Sequence, residues 1–108
     1  MKVSISEFAW QEILRIAEYI QEEFGDESRK KFMQRVRLNK RMIGINPNIG
    51  IIEPTLSKSS VAYRSIVVGR LNKMIYRFDN KKITVVDFWD CRRNPNTLAA
   101  QVMRNDSI

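Results

Sequence analysis

The sequence contains no histidine. This absence excludes Ser-His-Asp and Cys-His nucleophile systems, metal sites with imidazole ligands and imidazole acid/base chemistry. Cysteine occurs once, as Cys91, which cannot form an internal disulfide and has no neighbouring cysteine or histidine with which to hold zinc. We therefore expect a protein of the reducing cytoplasm that uses no metal or other cofactor.

Glycine and proline are scarce, with 4 and 3 residues among 108, and no apolar run approaches the roughly 18 residues of a membrane span. The N-terminal segment meets polar residues too early for the apolar core of a signal peptide. With 44% hydrophobic and 29% charged residues, the composition is typical of a folded protein. We expect one domain over residues 1–108 and no membrane partner.

Positive charge is in excess, and it is unevenly distributed. The net charge is +7, yet residues 1–28 carry seven acids against only Lys2 and Arg15. Residues 29–41 then carry seven basic residues and no acid. This asymmetry indicates a polyanionic partner, either nucleic acid or an acidic protein segment. A basic face that only keeps a small domain in solution would give the same pattern.

The N-terminal half predicts a short strand at residues 2–5 and two helices. Ser4-Ile5-Ser6-Glu7 has the spacing of a capping box, and Gly25 is suited to a left-handed residue that ends the first helix. Asp26 or Ser28 can cap the second helix, which ends at Asn46-Pro47. The short connection predicts an antiparallel helix hairpin. The apolar stripes are Ile13, Ile16, Ala17, Ile20 and Phe24 on the first helix, and Phe32, Met33, Val36 and Ile43 on the second.

The C-terminal half predicts a sheet. Three β-rich runs, 62–69, 73–79 and 83–89, are joined by connections too short for a parallel crossover, which predicts an antiparallel meander. In the middle run the alternation predicts one core face and one basic face, the latter carrying Lys73 and Arg77. We expect residues 46–61 to form a loop anchored to the core by Ile49, Ile51, Ile52 and Leu56.

Together these elements predict an α+β fold in the order β-α-α-β-β-β. The N-terminal helix hairpin packs on an antiparallel sheet, and residues 94–108 form a loose or helical tail.

Cationic and phenolic side chains on the strands and at the last strand's exit could bind phosphate. If Arg64 shares a face with Lys73 and Arg77, the cations form a concavity able to stabilise the phosphorane of RNA cleavage without a metal. Proton transfer would fall to Lys73 or Tyr63. A solvated basic face with a core tyrosine is the simpler alternative. The candidates are Arg64, Lys73 and Arg93 for catalysis, and Tyr63, Arg77 and Arg92 for phosphate or nucleic-acid binding.

The order of these elements resembles the RelE/ParE family of toxins from bacterial type II toxin-antitoxin modules, which are also called plasmid stabilisation systems. The similarity covers nearly the whole chain. It is carried by an Asn46-Pro47 loop with Gly50, followed by the runs A-Y-R-S-I-V-V-G, K-M-I-Y-R-F-D and F-W-D-C-R-R-N-P.

The resemblance implies a growth-arresting toxin that is neutralised by an acidic antitoxin encoded beside it. RelE-like members cut mRNA in the ribosomal A site, whereas ParE-like members lack the nuclease residues and poison DNA gyrase. Arg64 and Arg93 match basic nuclease residues, and Lys73 stands where the nucleases tend to have arginine. Ile66 and residues 97–99 depart from that pattern. We therefore expect a toxin that acts on the ribosome and mRNA, with gyrase inhibition or antitoxin binding alone as alternatives.

Overall fold

The computed structural model describes residues 1–56 and 61–106, so parts of the predicted loop (57–60) and tail (107–108) lie outside the described residues. None of the described helices is long and apolar enough to cross a membrane. Two short 3-10 helices, Pro54–Leu56 and Pro95–Thr97, accompany the main elements. These elements are β1 (Val3–Ile5), α1 (Glu7–Phe24), α2 (Asp26–Ile45), β2 (Ile51–Ile52), β3 (Tyr63–Val68), β4 (Asn72–Asp79), β5 (Lys82–Asp90) and α3 (Leu98–Asn105).

The described strands form one five-stranded sheet in the order β1-β5-β4-β3-β2. β3, β4 and β5 are consecutive antiparallel neighbours, as the meander prediction requires. β1 pairs in parallel with β5, and the two-residue β2 pairs antiparallel with β3. The predicted α+β fold is confirmed, and β2 is an addition within the predicted loop.

The helix hairpin is confirmed, but its caps differ from the prediction. The Ser6 hydroxyl accepts a 3.1 Å hydrogen bond from the Ala9 N–H, so Ser6 caps α1 while Ser4 lies in β1. Gly25 joins the helices with φ 95° and ψ 176°, a conformation outside the left-handed helical region and open essentially only to glycine. α2 begins directly at Asp26 with no side-chain cap bond.

One face of the sheet packs against the hairpin. Phe32 and Phe88 meet edge-on there, with ring centroids 5.8 Å apart. Phe24 was predicted to belong to this core, but it is 69% exposed because α1 extends past the sheet's apolar cover. The buried residues of this core are Val3, Ala9, Ile13, Ala17, Phe32, Val36, Ile43, Val68, Met74, Tyr76, Ile83, Val85 and Phe88.

The opposite face is also buried, so the prediction of an open basic face was wrong. The C-terminal helix α3 and the segment Pro54–Leu56 supply cover for it. Of the four predicted loop anchors, Leu56 is buried, whereas Ile49, Ile51 and Ile52 are exposed. This second core contains Leu56, Tyr63, Ile75, Val86, Trp89, Leu98 and Val102.

A β-bulge changes which residues of β5 face each core. Ile75 pairs with Asp87 and Tyr76 pairs with Val85, so Val86 is an extra residue on β5. The bulge shifts the alternation, so Ile83 and Val85 before it and Phe88 after it pack in the hairpin core, while Val86 and Trp89 pack in the α3 core. Because both faces of β5 are buried, residues 83–89 read as a nearly continuous apolar run instead of a strict alternation.

The variant Leu98→Ala tests whether α3 closes a hydrophobic core. Because Leu98 is fully buried, Leu98→Ala should lower the free energy of unfolding by about 3 kcal/mol through lost burial and a residual cavity. Leu38→Ala removes the same atoms from a 50% exposed site on α2 and should change it by less than about 0.5 kcal/mol. Urea denaturation measures both, and equal small effects would mean that α3 does not close a core.

Candidate functional site

The register of β3 and β4 divides the predicted cation cluster between two faces. Tyr63 pairs with Arg77 and Arg64 pairs with Tyr76. Residues directly opposite each other share a face, and neighbours along a strand point to opposite faces. Arg64 therefore lies on the hairpin side, while Tyr63, Lys73 and Arg77 lie on the α3 side. The condition that Arg64 shares a face with Lys73 and Arg77 is therefore not met.

Arg64 is engaged with the loop that follows α2. Its Nη1 donates to the Gly50 carbonyl at 2.8 Å, and the Tyr76 hydroxyl donates to the Pro47 carbonyl at 2.7 Å. The Gly50 N–H in turn donates to the Tyr76 hydroxyl at 3.0 Å. A Cβ at Gly50 would lie 2.7 Å from the Ser65 carbonyl oxygen, so only glycine fits this approach. In this arrangement Arg64 and Tyr76 position the loop.

Lys73 is neutralised by a carboxylate that the sequence analysis did not single out. Its Nζ lies 2.9 Å from Oε2 of Glu53, whose side chain is 4% exposed. The Thr55 hydroxyl donates to the other carboxylate oxygen at 3.3 Å. Ion pairs this shielded are weakly screened, and separating them leaves a charge without water or partner. Glu53 is distant in sequence and lies in a loop, so no local pattern predicted the pair.

Tyr63 and Arg77 converge on Asp106, just after α3. The Tyr63 hydroxyl donates to Oδ2 at 2.7 Å, and Arg77 donates to both carboxylate oxygens at 2.8 and 3.0 Å. Arg77 also donates to Asp79 at 2.6 Å. Burial and the hydrogen bond to Asp106 raise the pKa of the Tyr63 phenol, so it stays a proton donor. These contacts fasten the end of α3 to β3 and β4.

The exit of β5 holds the two adjacent arginines. Arg92 donates to both carboxylate oxygens of Asp90, and this contact lowers the pKa of Asp90. Arg93 lies over Trp89, with its guanidinium carbon 4.1 Å from the ring centroid. The two arginines are exposed. They are the predicted site residues with the greatest access to a partner.

Gln101 of α3 connects Arg93 to the interior. Arg93 donates to its Oε1 at 3.1 Å, and its Nε2 donates to Oδ2 of Asp87 at 2.8 Å. Asp87 is fully buried, and burial raises its pKa. Asp90 therefore orients Arg92 directly, and Asp87 is linked to Arg93 through Gln101.

The six candidates therefore do not form one catalytic concavity. Tyr63, Lys73 and Arg77 carry internal partners on the α3 side, and Arg64 lies on the other side. Within residues 1–56 and 61–106, no group of three or more Cys, Asp and Glu side chains could hold a metal ion. The catalytic and phosphate-binding roles remain predictions.

A groove beside the strand exit is the feature that sequence reasoning missed. It encloses about 480 Å³ between α1 and the β3–β4 turn. Tyr19 and Phe24 are 59% and 69% exposed along it. Ile16, Ile20 and Phe24 belong to the apolar stripe of α1, and the sequence analysis placed this stripe in the core. The groove lining consists of Arg15, Ile16, Tyr19, Ile20, Phe24, Leu71, Asn72, Asp90 and Arg92.

Comparison with known proteins agrees with this architecture. The family model described as "ParE toxin of type II toxin-antitoxin system, parDE" matches residues 3–95. A solved chain from the chromosomal ParDE toxin-antitoxin system of P. aeruginosa has a similar fold, with a TM-score of 0.68 and 18% identity over 83% of this chain and 95% of that one. No curated protein sequence gave a significant match. The fold and the family match define a type II toxin, and the chain belongs to the ParE toxin family.

The Lys73–Glu53 pair can be tested by a double-mutant cycle with Lys73→Met and Glu53→Gln. Because each single change leaves its partner shielded and unpaired, we expect a coupling energy above about 1 kcal/mol. The Glu12–Arg15 pair on α1 is the control because the Arg15 side chain is 69% exposed, and Glu12→Gln and Arg15→Met should couple by about 0.5 kcal/mol or less. Urea denaturation gives both values. Equal coupling in the two pairs would show that Lys73 is not held by Glu53.

Proposed function

We propose that this toxin arrests growth without cutting RNA, by binding and inhibiting DNA gyrase. The observation that carries the proposal is the internal neutralisation of the sheet cations. A site for phosphoryl chemistry needs cations directed at the transition state and groups able to move protons. In this chain the sheet cations are directed at carboxylates and carbonyls of the protein itself.

The candidate proton carriers support the same reading. Lys73 is ion-paired with Glu53, so its amine is directed at a carboxylate of the protein itself. Tyr63 has a raised pKa and donates to Asp106, so a tyrosinate base is disfavoured. Arg64, a candidate for transition-state stabilisation, is bonded to Gly50 on the other side of the sheet. Lys73, Tyr63 and Arg77 share the α3 side, but each of them is bonded to a carboxylate of the chain itself.

The groove beside α1 supports the proposal that an antitoxin is a partner of this toxin in addition to gyrase. Its apolar lining suits a helix with an apolar face. Arg15 and Arg92 also line it, with side chains 69% and 68% exposed. Each arginine pairs with one carboxylate of the chain, yet a guanidinium has five N–H donors and can also meet carboxylates of a partner. We propose that an acidic, amphipathic antitoxin segment binds in this groove.

Two assays on the purified protein separate gyrase inhibition from RNA cleavage. We expect the protein to block supercoiling of relaxed plasmid by gyrase, and to leave mRNA on programmed ribosomes intact when breaks are mapped by primer extension. Arg93→Ala should leave gyrase inhibition within about twofold, because Arg93 is directed at Trp89 and Gln101 of its own chain.

Cleavage of mRNA without inhibition of gyrase would contradict the proposal. Breaks at A-site codons that disappear in Arg93→Ala, together with normal supercoiling, would establish the ribosome-dependent nuclease in place of the gyrase inhibitor. Lys31 is exposed on α2, and Lys31→Ala removes one positive charge just as Arg93→Ala does, so it is the control for charge loss.

The groove is tested by Phe24→Ser and calorimetric titration with the antitoxin encoded beside the gene. Since Phe24 is exposed in the free toxin and would be covered in the complex, we expect affinity to fall at least about tenfold. Leu38→Ser changes an exposed apolar residue outside the groove and should leave affinity within about twofold. Equal losses in the two variants would place the antitoxin elsewhere.

A further inference from the structure

A second cavity lies on the far side of α2, where β1 crosses the end of the helix. It encloses about 630 Å³ and is lined by Met1, Lys2, Val3, Arg37, Lys40, Arg41, Gly44 and Ile45. The backbone nitrogen of Met1 donates to the Gly44 carbonyl at 2.8 Å, which fixes the start of β1 against α2. Four of the eight lining residues are cationic and none is acidic.

These cations have no evident structural purpose. Within the described residues, no ion pair involves Lys2, Arg37, Lys40 or Arg41. The helix dipole attracts cations chiefly to the last turn of a helix, but the last turn of α2 carries no basic residue. Like charges gathered without carboxylates repel one another, so the arrangement gains stability when an anion enters.

Positive charge extends beyond the cavity along the same side of α2. Lys30, Arg37 and Arg41 stand at i, i+7 and i+11, which places them on one side of a helix. At 1.5 Å per residue, this stripe extends for roughly 16 Å. A line of cations of this length matches an extended polyanion better than a single small anion.

We propose that this cavity and stripe form a binding site for the phosphodiester backbone of nucleic acid. Arg37 and Arg41 would bind phosphate oxygens through paired N–H groups, while Lys2 and Lys40 would act as point charges beside them. The contacts are to the backbone, so the site binds without reading sequence. The proposal is independent of how the toxin acts, because its four cations, Lys2, Arg37, Lys40 and Arg41, lie outside both the sheet strands and the groove.

An acidic protein segment is the rival occupant. An amphipathic acidic helix needs an apolar surface to cover, and the groove on α1 offers one with Tyr19 and Phe24. The cavity at α2 also exposes Met1 and Ile45, but it gathers four cations and no acid, whereas the groove has two arginines and Asp90. This excess of positive charge favours a ligand that carries charge at every repeat. The nucleic-acid backbone has this property.

The test is fluorescence anisotropy of the full chain with labelled duplex DNA and with single-stranded RNA of matched length, over a range of salt. For Arg37→Gln/Arg41→Gln we expect the salt slope of duplex binding to become about 1.8 less steep, at about 0.9 for each lost phosphate contact. Affinity at about 50 mM salt should fall at least tenfold. Tighter binding of the DNA or of the RNA identifies which nucleic acid the site favours.

Lys31→Gln/Arg35→Gln is the matched control, because it removes two charges from the other side of the same helix. This control variant should change the salt slope of duplex binding by less than half of the change expected for Arg37→Gln/Arg41→Gln. Circular dichroism verifies that both variants are folded. The proposal is overturned if the wild type binds neither nucleic acid at low salt, or if both double variants lose the same affinity. It is also overturned if Arg37→Gln/Arg41→Gln weakens only antitoxin binding. Gyrase inhibition is measured separately, so failure here is distinguishable from failure of the proposed function.

Discussion

The pairing register between β3 and β4 determines which charged groups can act together. Side chains alternate along a strand, so a shift of one residue would exchange the two faces of β3. With Arg64 opposite Tyr76, the guanidinium meets the Gly50 loop, and with Tyr63 opposite Arg77, both side chains reach Asp106. The charge arrangement of the sheet therefore follows from backbone pairing as much as from the choice of residues.

Burial on both faces explains why the sheet cations have internal partners. Once α3 covers the second face, a cation there loses water and must be compensated by an acceptor or a carboxylate. Glu53 and Asp106 provide this compensation for Lys73 and Arg77. Arg92 and Arg93 lie beyond the last strand and are exposed to solvent, whereas the other four candidates are buried or half-buried. The internal pairing of Lys73 and Arg77 thus accompanies the closing of the second core.

The sequence predicted what depends on local pattern. The helix hairpin follows from apolar spacing, and the meander follows from short connections. The misplaced residues depend on distant contacts. Phe24 continues the stripe of α1 but has no sheet to cover, and Ser6 rather than Ser4 caps the helix because β1 continues through Ile5.

The candidate site was predicted as a set of residues but not as an arrangement. The residue types could be selected from the strands, yet their partners Glu53 and Asp106 are 20 and 29 positions away from Lys73 and Arg77. No periodicity links such pairs. The bulge at Val86 also changes the faces of β5, and it becomes visible only when the register with β4 is known.

Positive charge in this toxin falls into two classes with different consequences for function. The sheet cations Lys73 and Arg77 are compensated within the fold, so they contribute to packing and add little to the field felt by a partner. Arg37 and Arg41 lie outside the sheet with no ion pair among the described residues, so their field extends over about a Debye length. Net charge alone would count the two classes equally. Because compensation differs, a partner attracted by the charge of this chain should approach α2 and not the sheet.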